Sequence, residues 1–129
     1  MDRTSAQGNE TILLVEDTDA VRTVLRRALE NQGYVVLEAS GGAEALEVVR
    51  SYSRPIHLLV TDVRMPEMTG LELASRMRTL RPKIKVLLIP GDQEERVTGF
   101  RNEGAAVAVL EKPFTGAALA RKVRELLDS

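Results

Sequence analysis

The chain has 129 residues, the length of one domain, with 43% hydrophobic and 29% charged residues and a net charge of −1. Neither this charge nor the 3% aromatic content indicates nucleic-acid binding. No apolar stretch approaches the ~20 residues of a membrane span, and the absence of cysteine excludes disulfides and thiolate chemistry. We therefore expect a cytoplasmic protein with no direct nucleic-acid contact and no membrane insertion.

Short apolar runs alternate with amphipathic segments along the chain. The runs with strand character are Ile12–Val15, Tyr34–Ala39, His57–Thr61, Val86–Ile89 and Ala106–Leu110. Each is followed by apolar residues at helical spacing. The predicted helix signals are Gly33 ending the first, Ser40 capping the second, Thr69 with Glu72 and Asp92 with Glu95 starting the third and fourth, Gly104 ending the fourth, and Thr115 capping the last. The pattern predicts five strand–helix units.

Charged residues follow three of these runs at the point where each run ends. Glu16 and Asp17 follow the first, Asp62 follows the third, and Lys112 follows the fifth. The carboxyl ends of parallel strands share one edge of a sheet, so these side chains are expected to meet. Clustered carboxylates repel one another by about 4 kcal/mol per close pair at an effective dielectric near 20. A hard divalent cation such as Mg²⁺ or Mn²⁺ relieves that repulsion.

The same group of residues fits phosphoryl chemistry. Asp62 could attack phosphorus as a nucleophile, and Lys112 could pair with the phosphoryl oxygens. Backbone N–H groups after the third and fourth strands, with Gly91 among them, would complete the phosphate site. Pro113 is expected to aim Lys112 through the restricted X-Pro bond.

The sheet topology follows from the same reasoning. Unbroken apolar strands predict a parallel sheet that is buried on both faces. Asp17 and Asp62 can meet only if the first and third strands are neighbours. With right-handed crossovers this gives the order 2-1-3-4-5. We therefore predict a single doubly wound (βα)5 α/β domain of the flavodoxin-like type over residues 10–129, after a disordered polar segment over residues 1–9.

Three motifs carry a resemblance to a known family over nearly the whole chain. They are Leu13-Leu14-Val15-Glu16-Asp17, Thr61-Asp62-Val63-Arg64-Met65-Pro66-Glu67-Met68-Thr69-Gly70 and Leu110-Glu111-Lys112-Pro113-Phe114. In order and spacing the chain resembles the receiver domain of two-component response regulators, and its start is similar to receivers attached to hybrid histidine kinases.

The resemblance implies roles for several residues. Asp62 would be the phosphoacceptor for a histidine kinase or a histidine phosphotransfer protein. Asp17, Asp62 and the backbone carbonyl of Arg64 would bind Mg²⁺, with Glu16 acting through a metal-bound water. Lys112 would contact the phosphoryl group. Such a module is not an enzyme beyond Mg²⁺-dependent self-phosphorylation from small donors and slow self-dephosphorylation.

The chain departs from the family pattern at two positions of its conformational switch. Pro90 stands where family members usually carry Ser or Thr, and it has no hydroxyl and no N–H. Val109 stands where Tyr or Phe is common. These departures predict that Asp62 is phosphorylated but that the resulting shift toward an active surface is weak.

Alternatives remain open at this stage. One is a pseudo-receiver that acts as a constitutive protein-interaction domain. Another is a small phosphatase with an aspartyl intermediate, although Arg64 occupies the position where such enzymes want a second acid. The arginines Arg22, Arg26 and Arg27 form either a solvated face or a contact for the phosphodonor. A weak homodimer is also open.

Overall fold

The computed structural model describes residues 8–90, 107–111 and 114–129. The strands are β1 (Thr11–Val15), β2 (Val35–Ala39), β3 (Leu58–Asp62), β4 (Lys85–Ile89) and β5 (Val107–Val109). The helices in these ranges are α1 (Asp19–Glu30), α2 (Gly42–Ser51), α3 (Gly70–Leu80) and α4 (Gly116–Asp128). The helix predicted from Asp92 to Gly104 lies outside the described residues, and so does most of the N-terminal segment predicted to be disordered. No helix within the described ranges combines the length and apolar character needed to cross a membrane.

All of the strand pairs are parallel, and the order is β2-β1-β3-β4-β5. Val15 at the end of β1 pairs with Thr61 near the end of β3, and Asp62 pairs with Ile89 at the end of β4. The carboxyl ends of β1, β3 and β4 therefore share one edge of the sheet. The predicted fold class and strand order are confirmed.

Alternate residues of each strand pack on opposite faces of the sheet. Ile12 and Leu14 of β1 contribute to a core with α1 and α4, whereas Leu13 and Val15 contribute to a core with α2 and α3. Every residue of β1 and β3 is buried. Burial on both faces explains why these strands are continuous apolar runs.

The helix starts agree with the sequence signals at two positions and differ at one. Thr69 and Glu72 form the predicted capping box of α3, and the Thr115 hydroxyl accepts a hydrogen bond from the Ala118 N–H of α4. Ser40 does not cap α2, because Gly41 is the N-cap. The N–H and hydroxyl of Ser40 instead donate to Glu44, each at 2.8 Å.

A positive-φ glycine makes the turn after α1. The helix ends at Glu30, and Gly33 follows with a φ of 95°. An L side chain is disfavoured at such an angle, so glycine fits the turn that leads into β2. Gly33 therefore ends the first helical segment, as the sequence predicted, and its N–H donates to the Glu30 carbonyl at 2.9 Å.

Candidate functional site

Three carboxylates meet at the carboxyl edge of the sheet. Glu16 and Asp17 directly follow β1, and Asp62 ends the adjacent strand β3. One carboxylate oxygen from each lies within 4.8 Å of the others. Glu16 and Asp62 are buried, with 3% and 7% exposure, whereas Asp17 is exposed. The cluster is therefore open to solvent on the side of Asp17.

Backbone and side-chain contacts hold Glu16 in place. Its N–H donates to the Ala39 carbonyl at 3.1 Å, and its Oε2 accepts from the Thr18 N–H at 3.0 Å. Its carbonyl accepts from Nη1 of Arg22 at 2.8 Å. The Oε1 atom of Glu16 is buried and has no hydrogen-bond partner within the described residues.

The donor set fits a hard divalent cation. A buried carboxylate oxygen without a donor is costly unless another positive group contacts it. Three clustered carboxylates also raise the energy of the site through mutual repulsion. A cation that prefers oxygen ligands, such as Mg²⁺, satisfies both conditions.

The backbone on both sides of Asp62 is held by neighbouring elements. The Thr61 hydroxyl donates to the Asp62 carbonyl at 3.0 Å, and the Val63 N–H donates to the Ile89 carbonyl at 3.1 Å. The Gly70 N–H at the start of α3 donates to the Val63 carbonyl at 2.7 Å. Asp62 therefore projects from a short segment that is fixed to β4 and α3.

Gly70 allows α3 to begin directly against Asp62. A Cβ on Gly70 would collide with the Asp62 carbonyl oxygen and would lie 2.9 Å from its carbonyl carbon. These are backbone atoms, which cannot rotate away as the end of a long side chain can. Only glycine fits this approach without moving the loop.

A cavity of about 300 Å³ lies beside the loop that follows β3. Its lining includes Ser40, Glu44, Met65, Pro66 and Glu67. The hydrogen bonds from Ser40 lower the pKa of Glu44 below its usual 4.5. Glu44 is therefore ionised at neutral pH and adds negative charge to the cavity wall.

The two positions predicted to form an atypical switch both lie within the described residues. Pro90 is buried and directly follows Ile89, which is paired with Asp62. Val109 ends β5, pairs with Leu88, and packs against the core that contains α2 and α3.

The remaining predicted site residues are only partly covered by the structure. Arg64 is exposed, two residues after Asp62. Gly91, Lys112 and Pro113 lie outside the described residues, so their predicted roles stay predictions.

Sequence reasoning assigned no site role to Arg22. Its guanidinium contacts the Glu16 carbonyl and also Asp19 and Glu38, at 2.8 and 3.1 Å. These carboxylates, Asp19 first, raise the pKa of Arg22 above its ordinary value. The sequence showed only three arginines on one helix, and nothing in their spacing distinguishes the one that contacts the site.

Comparison with known proteins agrees with this geometry. The family model described as the response regulator receiver domain matches residues 12–124. The chain is 40% identical over 125 residues to the sensor kinase CckA of Brucella abortus, covering 97% of this chain and 13% of CckA. It is 37% identical over 116 residues to the response regulator receiver protein CpdR of the same organism, covering 90% of this chain and 95% of CpdR. The chain therefore spans a small part of one relative and nearly all of the other.

Solved structures give the same result. The receiver domain of the hybrid histidine kinase CckA is 38% identical, with a TM-score of 0.76 and coverage of 91% of this chain and 98% of that one. A CheY-like receiver domain protein from Methanospirillum hungatei is 30% identical, with a TM-score of 0.82 and coverage of 94% and 95%. Receiver domains are signalling modules that interact with histidine kinases or histidine phosphotransfer proteins. The chain belongs to the response regulator receiver domain family.

Proposed function

We propose that this chain is a phosphoacceptor module in which Asp62 receives a phosphoryl group from a histidine kinase or a histidine phosphotransfer protein. The observation that carries the proposal is the carboxylate cluster. Asp62 ends β3 with an oxygen within 4.8 Å of oxygens from Glu16 and Asp17. This is the arrangement that a metal-assisted aspartyl phosphorylation requires.

The transfer is a nucleophilic displacement at phosphorus. A carboxylate oxygen of Asp62 forms the new P–O bond while the P–N bond of the donor phosphohistidine breaks, and the imidazole leaves with the electron pair. With acetyl phosphate as donor, acetate leaves instead. The hydrogen bonds around Thr61, Val63 and Gly70 keep the Asp62 backbone in one position, so the carboxylate needs little reorganisation to attack.

Other residues prepare the site for the incoming phosphate. Glu16, Asp17, Asp62 and the Arg64 carbonyl would hold Mg²⁺ or Mn²⁺, with Glu16 contributing through water. The bound ion would neutralise the carboxylates and the phosphoryl oxygens at once. The sequence motifs support Lys112 as the phosphoryl contact, Gly91 as a backbone donor and Pro113 as the residue that orients Lys112.

The proposal includes a weak conformational switch. Pro90 is buried next to the residue paired with Asp62, and its ring offers neither hydroxyl nor N–H to a phosphoryl group. Val109 has no ring that could move between inward and outward positions. Both features are expected to reduce the change in the molecular surface that follows phosphorylation of Asp62.

The same two positions support a second candidate, a pseudo-receiver that binds partners constitutively. A phosphatase ranks last, because Arg64 stands two residues after Asp62 and cannot act as a general acid at neutral pH. The likeness to CckA supports a place within a hybrid kinase, whereas the likeness to CpdR supports a stand-alone regulator. The phosphotransfer chemistry is the same in both settings.

Intact-mass spectrometry after incubation with Mg²⁺ and acetyl phosphate tests the proposal. We expect the parent to gain one phosphoryl group, Asp62→Asn to gain none, and chelation of Mg²⁺ before the donor is added to abolish the gain. Asp128→Asn is the matched control, because this exposed carboxylate lies on α4 outside the cluster. No adduct from acetyl phosphate or from a phosphorylated histidine donor would contradict the proposal and favour the pseudo-receiver.

A further inference from the structure

We infer that Arg22 is a positioning residue for the metal site, an inference that rests on the proposed function. Arg22 does not belong to the carboxylate cluster. It contacts the cluster through the main chain, because its Nη1 donates to the Glu16 carbonyl at 2.8 Å. Its own side chain is 17% exposed, so this contact is largely shielded from water.

The guanidinium of Arg22 joins three separate parts of the molecule. Nη1 binds the Glu16 carbonyl directly after β1, Nη2 binds Asp19 in the first turn of α1 at 2.8 Å, and Nε binds Glu38 of β2 at 3.1 Å. Each contact uses a different nitrogen of the planar group. A lysine ammonium is a single compact charge and cannot reproduce this fork. The contact to Glu16 therefore depends on arginine geometry and not on charge alone.

By holding the Glu16 carbonyl, Arg22 helps to fix the position of the unpartnered carboxylate oxygen of Glu16. Three other polar groups of Glu16 each make a hydrogen bond. Its N–H donates to the Ala39 carbonyl, its carbonyl accepts from Arg22, and its Oε2 accepts from the Thr18 N–H. Among the polar atoms of Glu16, Oε1 is the one that is buried and has no hydrogen-bond partner within the described residues. The partners at Ala39 and Thr18 are backbone groups, whereas the partner at Arg22 is a side chain that a substitution can remove. Removing it would free the Glu16–Asp17 peptide to rotate, and both carboxylates would lose their alignment with Asp62.

An effect of the Arg22 charge and an effect of Arg22 on the position of Glu16 predict opposite changes in metal affinity when Arg22 is removed, so a measurement of that affinity separates them. The positive charge of Arg22 repels a cation at the neighbouring site, so on electrostatics alone its removal would tighten metal binding. If Arg22 acts by positioning, its removal weakens metal binding instead. Partners that orient metal ligands are typically worth ~10–100-fold in affinity.

Arg26 provides a matched control on the same helix. It lies one turn after Arg22 and also contacts Glu38, at 3.1 Å, but its second partner is Glu30 and not the Glu16 carbonyl. Arg26→Ala therefore removes one guanidinium and one contact to Glu38 while leaving Glu16 held.

Titration of the metal-free protein with Mn²⁺, followed by electron paramagnetic resonance of the free ion, gives the affinity directly. We expect Arg22→Ala and Arg22→Lys to raise the Mn²⁺ dissociation constant about tenfold. Arg26→Ala should change it by less than about twofold, because this substitution leaves the three hydrogen bonds of Glu16 in place. The Mg²⁺ concentration for half-maximal phosphorylation should rise in parallel, with the maximal rate nearly unchanged at saturating Mg²⁺.

Thermal unfolding of each variant separates positioning from general stability. If Arg22→Ala fails to fold, Arg22→Lys gives the answer, because it keeps the charge and the aliphatic stem. An Arg22→Lys or Arg22→Ala protein that binds Mn²⁺ as tightly as the parent, or more tightly, would overturn the inference while leaving the proposed function intact. A parent that binds no Mn²⁺ would overturn both.

Discussion

Pro90 is the residue to which we assign the larger part of the proposed weak switch. It follows Ile89, the strand partner of Asp62, and it is buried. A threonine at this position would have a hydroxyl that could donate a hydrogen bond to a phosphoryl group on Asp62. One charge-assisted hydrogen bond is worth about 1.5–3 kcal/mol, which changes an equilibrium roughly ten- to hundredfold. We therefore expect Pro90→Thr to enlarge the conformational shift that follows phosphorylation of Asp62.

The amide NMR spectrum with and without beryllium fluoride, a phosphoryl mimic, measures this effect. In the parent, the mimic should move only amides next to the carboxylate cluster. In Pro90→Thr it should also move amides along β5. Pro82→Thr is the control, because Pro82 is exposed and lines a separate cavity with Pro55 and Leu80. Equally large changes along β5 in the parent would show that the switch works without the hydroxyl.

At the scale of elements, the junction of β3 and α3 depends on glycine at position 70, which has no side chain. A Cβ on Gly70 would lie 2.9 Å from the Asp62 carbonyl carbon and 3.0 Å from the Cα of Val63, both of which are backbone atoms. Relief of the clash must move the start of α3 or the end of β3. We expect Gly70→Ala to lower the free energy of unfolding by about 1–3 kcal/mol and to slow phosphorylation of Asp62.

Gly41→Ala is the matched control, because nothing lies within 4 Å of a Cβ built on Gly41. Gly41 is the N-cap of α2, where glycine is preferred over alanine, so we expect the control to cost about 0.5–1 kcal/mol with no effect on the rate of phosphorylation. Urea unfolding and the rate of phosphorylation by acetyl phosphate measure both effects. If Gly70→Ala behaves like Gly41→Ala in both assays, the close approach is not a constraint on the site.

The helices and strands also show which structural features could be predicted from the sequence and which could not. Strands and helices were predictable because apolar spacing reports burial directly, and Thr69 with Glu72 marked a helix start through a local hydrogen-bond pattern. The same local rule failed at Ser40, because Glu44 accepts both of its hydrogen bonds and Gly41 becomes the N-cap.

The proximity of Glu16, Asp17 and Asp62 was also predictable, since parallel strands bring their carboxyl ends to one edge. The contact from Arg22 to the Glu16 carbonyl was not, because it depends on a side-chain conformation that no spacing rule describes.

At the scale of the whole molecule, one guanidinium joins the beginning of the chain to its last helix. Arg124 of α4 donates to both carboxylate oxygens of Glu10, at 2.8 and 3.3 Å, and to the Tyr34 hydroxyl at 3.2 Å. It also pairs with Asp128 one turn later, at 2.9 Å. Glu10 precedes β1 and Tyr34 precedes β2, so the network ties two strands to α4 at the edge of the sheet opposite the carboxylate cluster.

This network predicts how stability depends on pH. The hydrogen bond from Arg124 lowers the pKa of Glu10 below its usual 4.5 in the folded protein. A depressed carboxylate pKa stabilises the fold above the unfolded value, and that contribution is lost as the pH falls through the folded value. We expect Glu10→Gln to lower the free energy of unfolding by about 1–2 kcal/mol at pH 7. The difference from the parent should shrink as the pH falls below 4.5.

Urea unfolding between pH 7 and pH 3 measures the difference between parent and variant. Glu47→Gln is the matched control, since Glu47 is 77% exposed and its pair with Arg50 spans 3.7 Å. An exposed pair of this kind contributes at most about 1 kcal/mol and is screened by salt. The control should therefore stay close to the parent at every pH. A Glu10→Gln difference that persists unchanged down to pH 3 would mean that the carboxylate charge is not what joins α4 to the start of β1.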